Sequence, residues 1–262
     1  MIEVDKLTKT FGGAVAVRGV SFRVAAGELL VLVGGSGSGK TTTLKMINRL
    51  IEPDSGTVLI DGVNVAAIEG HILRRRIGYV FQKVGLFPHM TVAANIAAPL
   101  RLSDQAPPGD DERIRQRVAR VLELMELPAS FASRYPAELS GGEQQRVGVA
   151  RALAAEPRVM LLDEPFGALD PLTRDRLQQS FMEVRRRLGL TAVLVTHDMV
   201  EALLIADRIA VLHDGVLLQV GTPAELLQSP ADPYVERLLM TPRRQARALD
   251  DLLAGQPAGR TP

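Results

Sequence analysis

The chain contains no cysteine. Disulfides, thiolate zinc sites and thiol nucleophiles are therefore excluded, and a reducing compartment is allowed. It has no surplus of charge of either sign, with 31 Lys and Arg against 30 Asp and Glu. That argues against a nucleic-acid binder working by bulk charge. No apolar run approaches the roughly 18–20 residues of a membrane-spanning helix. The opening MIEVDKLTKTF carries acids and lacks the apolar stretch of a signal peptide. The expectation is a soluble chain that another subunit must hold if it works at a membrane. No internal repeat is found.

What is present is an apolar content of 46% over 262 residues, enough for one large domain or a domain carrying an inserted subdomain. Short apolar runs read as strands: LLVLV at 29–33, IGYVF at 77–81, VMLL at 159–162, AVLV at 192–195 and RIAVL at 208–212. Those at 29–33, 159–162 and 192–195 have almost no polar alternation, the pattern of strands covered on both faces. A mostly parallel sheet with helices on either side follows. The first twenty-odd residues and TVLIDG at 57–62 alternate more and carry Gly turns, which suggests an antiparallel edge subdomain. Between 88 and 155 the texture turns helical. Ile114, Val118, Val121, Leu122 and Met125 share one face after the polar loop APPGDDE at 106–112. We expect an α-helical subdomain inserted there. A second helix over 174–188 points Leu177, Phe181, Val184 and Leu188 inward, with Gly189 as its C-cap. The fold class is α/β, and residues 241–262 are expected to be a flexible tail. The Arg runs at 74–76 and 185–187 read as solvated faces.

Gly34, Gly35, Ser36, Gly37, Ser38, Gly39, Lys40 and Thr41 fit G-x-x-x-x-G-K-[ST], and Thr42 follows. A buried strand precedes the motif and an apolar-periodic segment follows it, as a phosphate-binding loop requires. Its N–H groups and the helix start suit the β- and γ-phosphates of a nucleotide. Lys40 is expected to bridge those phosphates and Thr41 to ligate Mg²⁺. In VMLLDE, Asp163 falls at the carboxyl end of a buried strand, where ligands bind in open α/β sheets. Its expected role is to hold Mg²⁺, with Glu164 polarising a water. A second Gly-rich stretch, LSGGEQQR at 139–146, also precedes a helix and raises the question of why one chain needs two phosphate cradles.

The order of GGSGSGKTT, Gln82, LSGGEQQR, VMLLDE, ALD at 168–170 and His197 resembles an ABC-transporter ATPase subunit over residues 1–240. The resemblance implies a P-loop NTPase core of RecA-like type. It implies ATP as substrate and Mg²⁺ as cofactor, with two subunits, most simply identical, paired head to tail. Ser140, Gly141 and Gly142 would then grip the nucleotide held by the partner's loop. Phe11 would stack on adenine. Gln82 would meet Mg²⁺ and link the core to the helical insertion. Asp170 would communicate across the dimer, and His197 would contact the γ-phosphate and orient Glu164. His71, His89 and His213 receive no chemistry.

The segments at 41–56, 73–97, 134–157 and 163–174 resemble ATPases of osmoprotectant importers, whose solutes are glycine betaine, choline, carnitine or proline. That implies membrane permease subunits, a substrate-binding protein, no nucleic acid, and a peripheral position at the cytoplasmic face of the inner membrane. Two features depart from that group. Phe81, Gln82 and Lys83 stand where Ile-Gln-Gln is usual, and no CBS domains are expected. The alternatives are an importer of another solute such as an amino acid, a non-transport ABC ATPase, and an ordinary P-loop kinase or GTPase. The coiled-coil or zinc insertions of the second are missing from the pattern, and LSGGEQQR speaks against the third.

Overall fold

The computed structural model describes residues 1–102, 111–167 and 169–253. Most of the loop expected at 106–112, Ala168 and residues 254–262 lie outside them. In chain order the elements are β1 (Ile2–Phe11), β2 (Ala14–Val24), β3 (Leu29–Val33), α1 (Lys40–Ile47), β4 (Ser55–Ile60), β5 (Val63–Asn64) and α2 (Gly70–Arg75). Next come β6 (Ile77–Val80), α3 (Val92–Arg101), α4 (Asp111–Leu124), α5 (Gly141–Ala154), β7 (Val159–Asp163), α6 (Pro171–Leu188) and β8 (Thr191–Thr196). The chain continues through α7 (Met199–Ile205), β9 (Arg208–His213), β10 (Val216–Gly221), α8 (Pro223–Gln228) and α9 (Pro233–Leu253).

Six strands form one sheet in the order β10-β9-β3-β8-β7-β6. Its pairs are parallel except β9–β10. The unbroken apolar runs are explained by where alternate residues go. Leu29, Val31 and Val33 of β3 join a core with the helices on one face, while Leu30 and Leu32 join a second core on the other. Met160 and Leu162 of β7 divide from Val159 and Leu161 in the same way. A strand with period 2 and helices on both sides has no face left for polar residues. A four-stranded antiparallel sheet, β2-β1-β4-β5, closes the second core through Ile2, Leu7, Val17, Val20 and Val24.

Local chemistry sets the helix ends. Asp170 caps α6 by accepting from the Thr173 N–H at 3.1 Å, Pro171 starts it, and Gly189 ends it with φ 62°. Helices α3, α4 and α5 pack on one another through Ile96, Val121, Leu122, Met125 and Val147.

Three expectations are corrected. Leu188 is 46% exposed, because it is the last residue before the Gly189 cap and lies beyond the core-facing stripe of Leu177, Phe181 and Val184. Arg185 is only 4% exposed, and its guanidinium is 2.7 Å from both the Gly27 carbonyl and Asp207 Oδ2. It is therefore a paired internal anchor and not part of a solvated face. The expected tail is helical as far as Leu253. The segment RRQARALDDLL is rich in strong helix formers, which favour helix by local propensity.

Candidate nucleotide site

The carboxyl ends of four adjacent strands, β3, β8, β7 and β6, converge on one place. The loop 34–39 leaves β3 and runs into α1. Gly34 has no room for a side chain: a Cβ would meet the Leu212 carbonyl oxygen at 2.1 Å. At Gly39, φ is 94° and a Cβ would meet the Ala16 carbonyl oxygen at 2.5 Å. These two glycines let the loop lie against β9 and β2, while Ser36 and Gly37 form its exposed lip. Lys40 folds back under the loop. Its ammonium donates to the carbonyls of Gly34 at 2.8 Å and Gly35 at 2.7 Å, and to Ser38 Oγ at 3.2 Å. Burial lowers its pKa below the ordinary lysine value, opposed by the charges of Glu164 and Asp163. The loop thus encloses a cation that is withdrawn from water and held by loop oxygens.

Thr41 donates its hydroxyl to Asp163 Oδ1 at 2.7 Å. Asp163 is 3% exposed, and burial raises its pKa, with the Thr41 hydrogen bond acting in the opposite direction. Thr42, next in α1, is half-buried. A hydroxyl and a carboxylate side by side suit a hard cation such as Mg²⁺, which takes its other ligands from phosphates and water. Among the described residues no group of three or more His, Cys, Asp or Glu is placed to hold a metal alone.

Glu164 leads out of β7 with φ 47°, an uncommon conformation for a residue with a side chain. Its N–H donates to the Val195 carbonyl at 2.9 Å, which fixes the turn to β8. Two side chains reach its carboxylate from the neighbouring strands. Gln82 Nε2, after β6, donates to Glu164 Oε2 at 3.2 Å. His197 Nδ1, after β8, lies 3.3 Å from the same oxygen. Residues separated by more than eighty positions thus meet on one carboxylate oxygen.

The other expected residues lie elsewhere. Ser140 begins α5 with a capping box: its Oγ accepts from the Glu143 N–H at 3.3 Å, and the Glu143 carboxylate accepts from the Ser140 N–H at 2.7 Å. Ser140 and Gly141 are exposed, and a Cβ on Gly141 would meet open space. A Cβ on Gly142 would meet Thr173 Cγ2 at 2.6 Å, so the start of α6 is packed against it. Asp170 is exposed, and its hydrogen bonds from Thr173 hold its carboxyl below the usual range. Phe11 sits in the β1–β2 hairpin, 47% exposed, with the Lys9 ammonium 5.5 Å from its ring centre. Arg151 of α5 donates to the carbonyls of Val84 at 3.0 Å and Gly85 at 2.8 Å. It straps the segment after Gln82 to the helix that Ser140 begins.

One contact was not legible in the sequence. Gly35 N–H donates to the Tyr234 hydroxyl at 2.9 Å, and the Tyr234 ring stacks on His213. From the sequence His213 receives no chemistry, yet it closes β9 at the carboxyl end of the sheet, and that position is the signal that could have found the contact.

Similarity to known proteins identifies the family. The family model described as ABC transporter matches residues 17–167, more than half of the chain. The choline transport ATP-binding protein of Bacillus subtilis is 46% identical over 98% of this chain and 68% of its own length. The glycine betaine/carnitine/choline transport ATP-binding protein of the same organism is 49% identical over 91% of this chain and 62% of its own. A sulfate/thiosulfate import ATP-binding protein of Bradyrhizobium diazoefficiens is 46% identical over 89% of this chain and 66% of its own. The chain thus spans about two thirds of the length of these relatives. The dimeric structure of a bacterial ABC transporter cassette superposes with a TM-score of 0.78 at 37% identity, covering 85% of this chain and 99% of that one. The phosphate loop beside paired carboxylates, the α/β architecture and these identities lead to one conclusion: this chain belongs to the ABC transporter family, among its ATP-binding cassettes.

Proposed function

We propose that this chain is the ATP-hydrolysing subunit of an ABC importer for a compatible solute such as glycine betaine, choline, carnitine or proline. The observation that carries the catalytic part is the meeting of Gln82, Glu164 and His197 on one carboxylate oxygen, beside a loop that holds a buried lysine. The solute class rests on the relatives whose names specify choline, glycine betaine and carnitine. The sulfate/thiosulfate relative, at comparable identity, favours a second reading in which the same engine serves another solute.

ATP is the substrate. Its phosphates lie against N–H groups of the 34–42 loop and helix start, that of Gly35 being held by the Tyr234 hydroxyl, and its adenine lies on Phe11. Lys40 exchanges its loop carbonyls for the β- and γ-phosphates. Thr41, Asp163 and Gln82 would hold Mg²⁺, which supplies charge neutralisation at the phosphates when bound. Glu164 orients the attacking water and accepts its proton. Gln82 and His197 keep the Glu164 carboxylate aimed. Ser140, Gly141 and Gly142 of one subunit close on the nucleotide of a second, and Asp170 lies near that junction. The second cradle is exposed because it serves a partner. Permease subunits hold the pair at the cytoplasmic face of the inner membrane and receive solute from a binding protein. Among the described residues no helix is long and apolar enough to cross a membrane by itself.

Uptake of labelled glycine betaine, choline, carnitine, proline and sulfate, at high osmolarity, tests the solute. Cells lacking this chain are expected to lose uptake of at least one of the first four, with sulfate unaffected. Loss of sulfate uptake alone would favour the second reading.

Ser140→Arg tests the dimer. Losing the cap costs about 1 kcal/mol, a cost that Ser140→Ala shares. Only the arginine adds bulk and charge at the exposed helix start. We expect Ser140→Arg to bind ATP without dimerising, while Ser140→Ala still dimerises. ATP-dependent dimers of the arginine variant in light scattering would show that this surface does not meet a partner.

A further inference from the structure

Tyr234 stands in the first turn of α9, anchored by the fully buried Val235 and Leu239 that follow it. Its own N–H donates to Asp232 Oδ1 at 2.7 Å. Its ring stacks on His213, with centres 3.7 Å and planes 19° apart. His213 ends β9, and the carbonyl of its neighbour Leu212 is the atom that leaves Gly34 no room for a Cβ. The Arg237 guanidinium lies 5.9 Å from the other component of this cluster, the Tyr234 ring. A ring held in this way presents its hydroxyl in one place, and that place is the phosphate loop.

The Gly35 residue is consequently gripped from two sides. Its N–H donates to the Tyr234 hydroxyl at 2.9 Å, and its carbonyl accepts from Lys40 at 2.7 Å. The two grips differ in permanence. Lys40 must leave the Gly35 carbonyl to reach a nucleotide's phosphates, whereas nothing in that exchange displaces Tyr234. The segment concerned is Gly34-Gly35-Ser36-Gly37, in which three of four residues lack a side chain to restrain them. Glycine loses the most conformational freedom on ordering, so an external anchor contributes most here.

We propose that Tyr234 is a positioning residue of the nucleotide site, whose hydroxyl keeps the loop in shape when Lys40 turns to the phosphates. The inference rests on the nucleotide reading above. A phenylalanine at 234 keeps the stack on His213 and removes only the hydroxyl. Tyr234→Phe in the full chain is expected to raise the KM and the dissociation constant for MgATP about five-fold, the effect of one ordinary hydrogen bond. Its kcat should stay at the native value, because Glu164, Gln82 and His197 are untouched. Gly35 amide exchange should become faster in the variant with nucleotide bound. A KM equal to the native one overturns the proposal. So does a lowered melting temperature with KM intact, which is the mark of a merely structural hydroxyl. Should Tyr234→Phe fail to fold, His213→Leu decides, since it frees the ring and leaves the hydroxyl. It should raise KM in the same direction but by less, and an unchanged value rejects the proposal. The native chain's own binding of MgATP tests the nucleotide reading separately. Absence of binding there overturns both, whereas the ratio of variant to native tests Tyr234 alone.

Discussion

Glu164→Gln is expected to keep ATP binding while lowering turnover by about two to four orders of magnitude, the usual contribution of a positioned general base. The substitution preserves shape, and the amide oxygen can still accept from Gln82 at the present 3.2 Å separation. What is lost is the charge that accepts a proton and draws His197, now 3.3 Å away. Phosphate contacts made by Lys40, Thr41 and the loop do not depend on that charge. The variant should therefore accumulate as an ATP-bound dimer that gel filtration separates from the monomer. Turnover within a few-fold of native would remove Glu164 from the role of base and leave its positive φ unexplained by catalysis.

Lys40→Ala is expected to weaken MgATP binding by about 30-fold or more, since a charge-assisted bond to phosphate in a site screened from water contributes about 2 kcal/mol or more. The effect on folding should be much smaller, for two opposing reasons. The ammonium makes hydrogen bonds to Gly34, Gly35 and Ser38, which its removal forfeits. Its pKa is nevertheless lowered by burial, so the charged group sits there at a cost that its removal relieves. Calorimetric titration together with thermal melting separates the two quantities. Equal losses in affinity and in melting stability would mean that Lys40 is chiefly a brace for the loop.

The two variants differ in how readily sequence alone locates them. Lys40 is fixed by a motif whose spacing is set within eight residues, and a strand-loop-helix context supports it. Glu164 is only one carboxylate after a strand until Gln82 and His197 are seen on the same oxygen. Their convergence depends on the order β3-β8-β7-β6, which puts the ends of four strands side by side. No sequence pattern within any one strand specifies its neighbours. The family resemblance supplied the partners that periodicity could not.

By itself, the sequence determined whatever short-range physics controls. Apolar runs without alternation became strands buried on both faces. Asp170 with Pro171 began a helix and Gly189 ended it. Ser140 with Glu143 formed a capping box. Each depends on sterics or hydrogen bonds within a few residues. Tertiary structure alone decided the rest. It buried Arg185 by supplying Asp207 and the Gly27 carbonyl, and it left Leu188 exposed where α6 runs past its core. It also brought Tyr234 to Gly35 across 199 positions, because α9 folds back beside the end of β9. A side chain's role in these cases is fixed by the partner it meets, and that partner is chosen by the order of strands and the packing of helices.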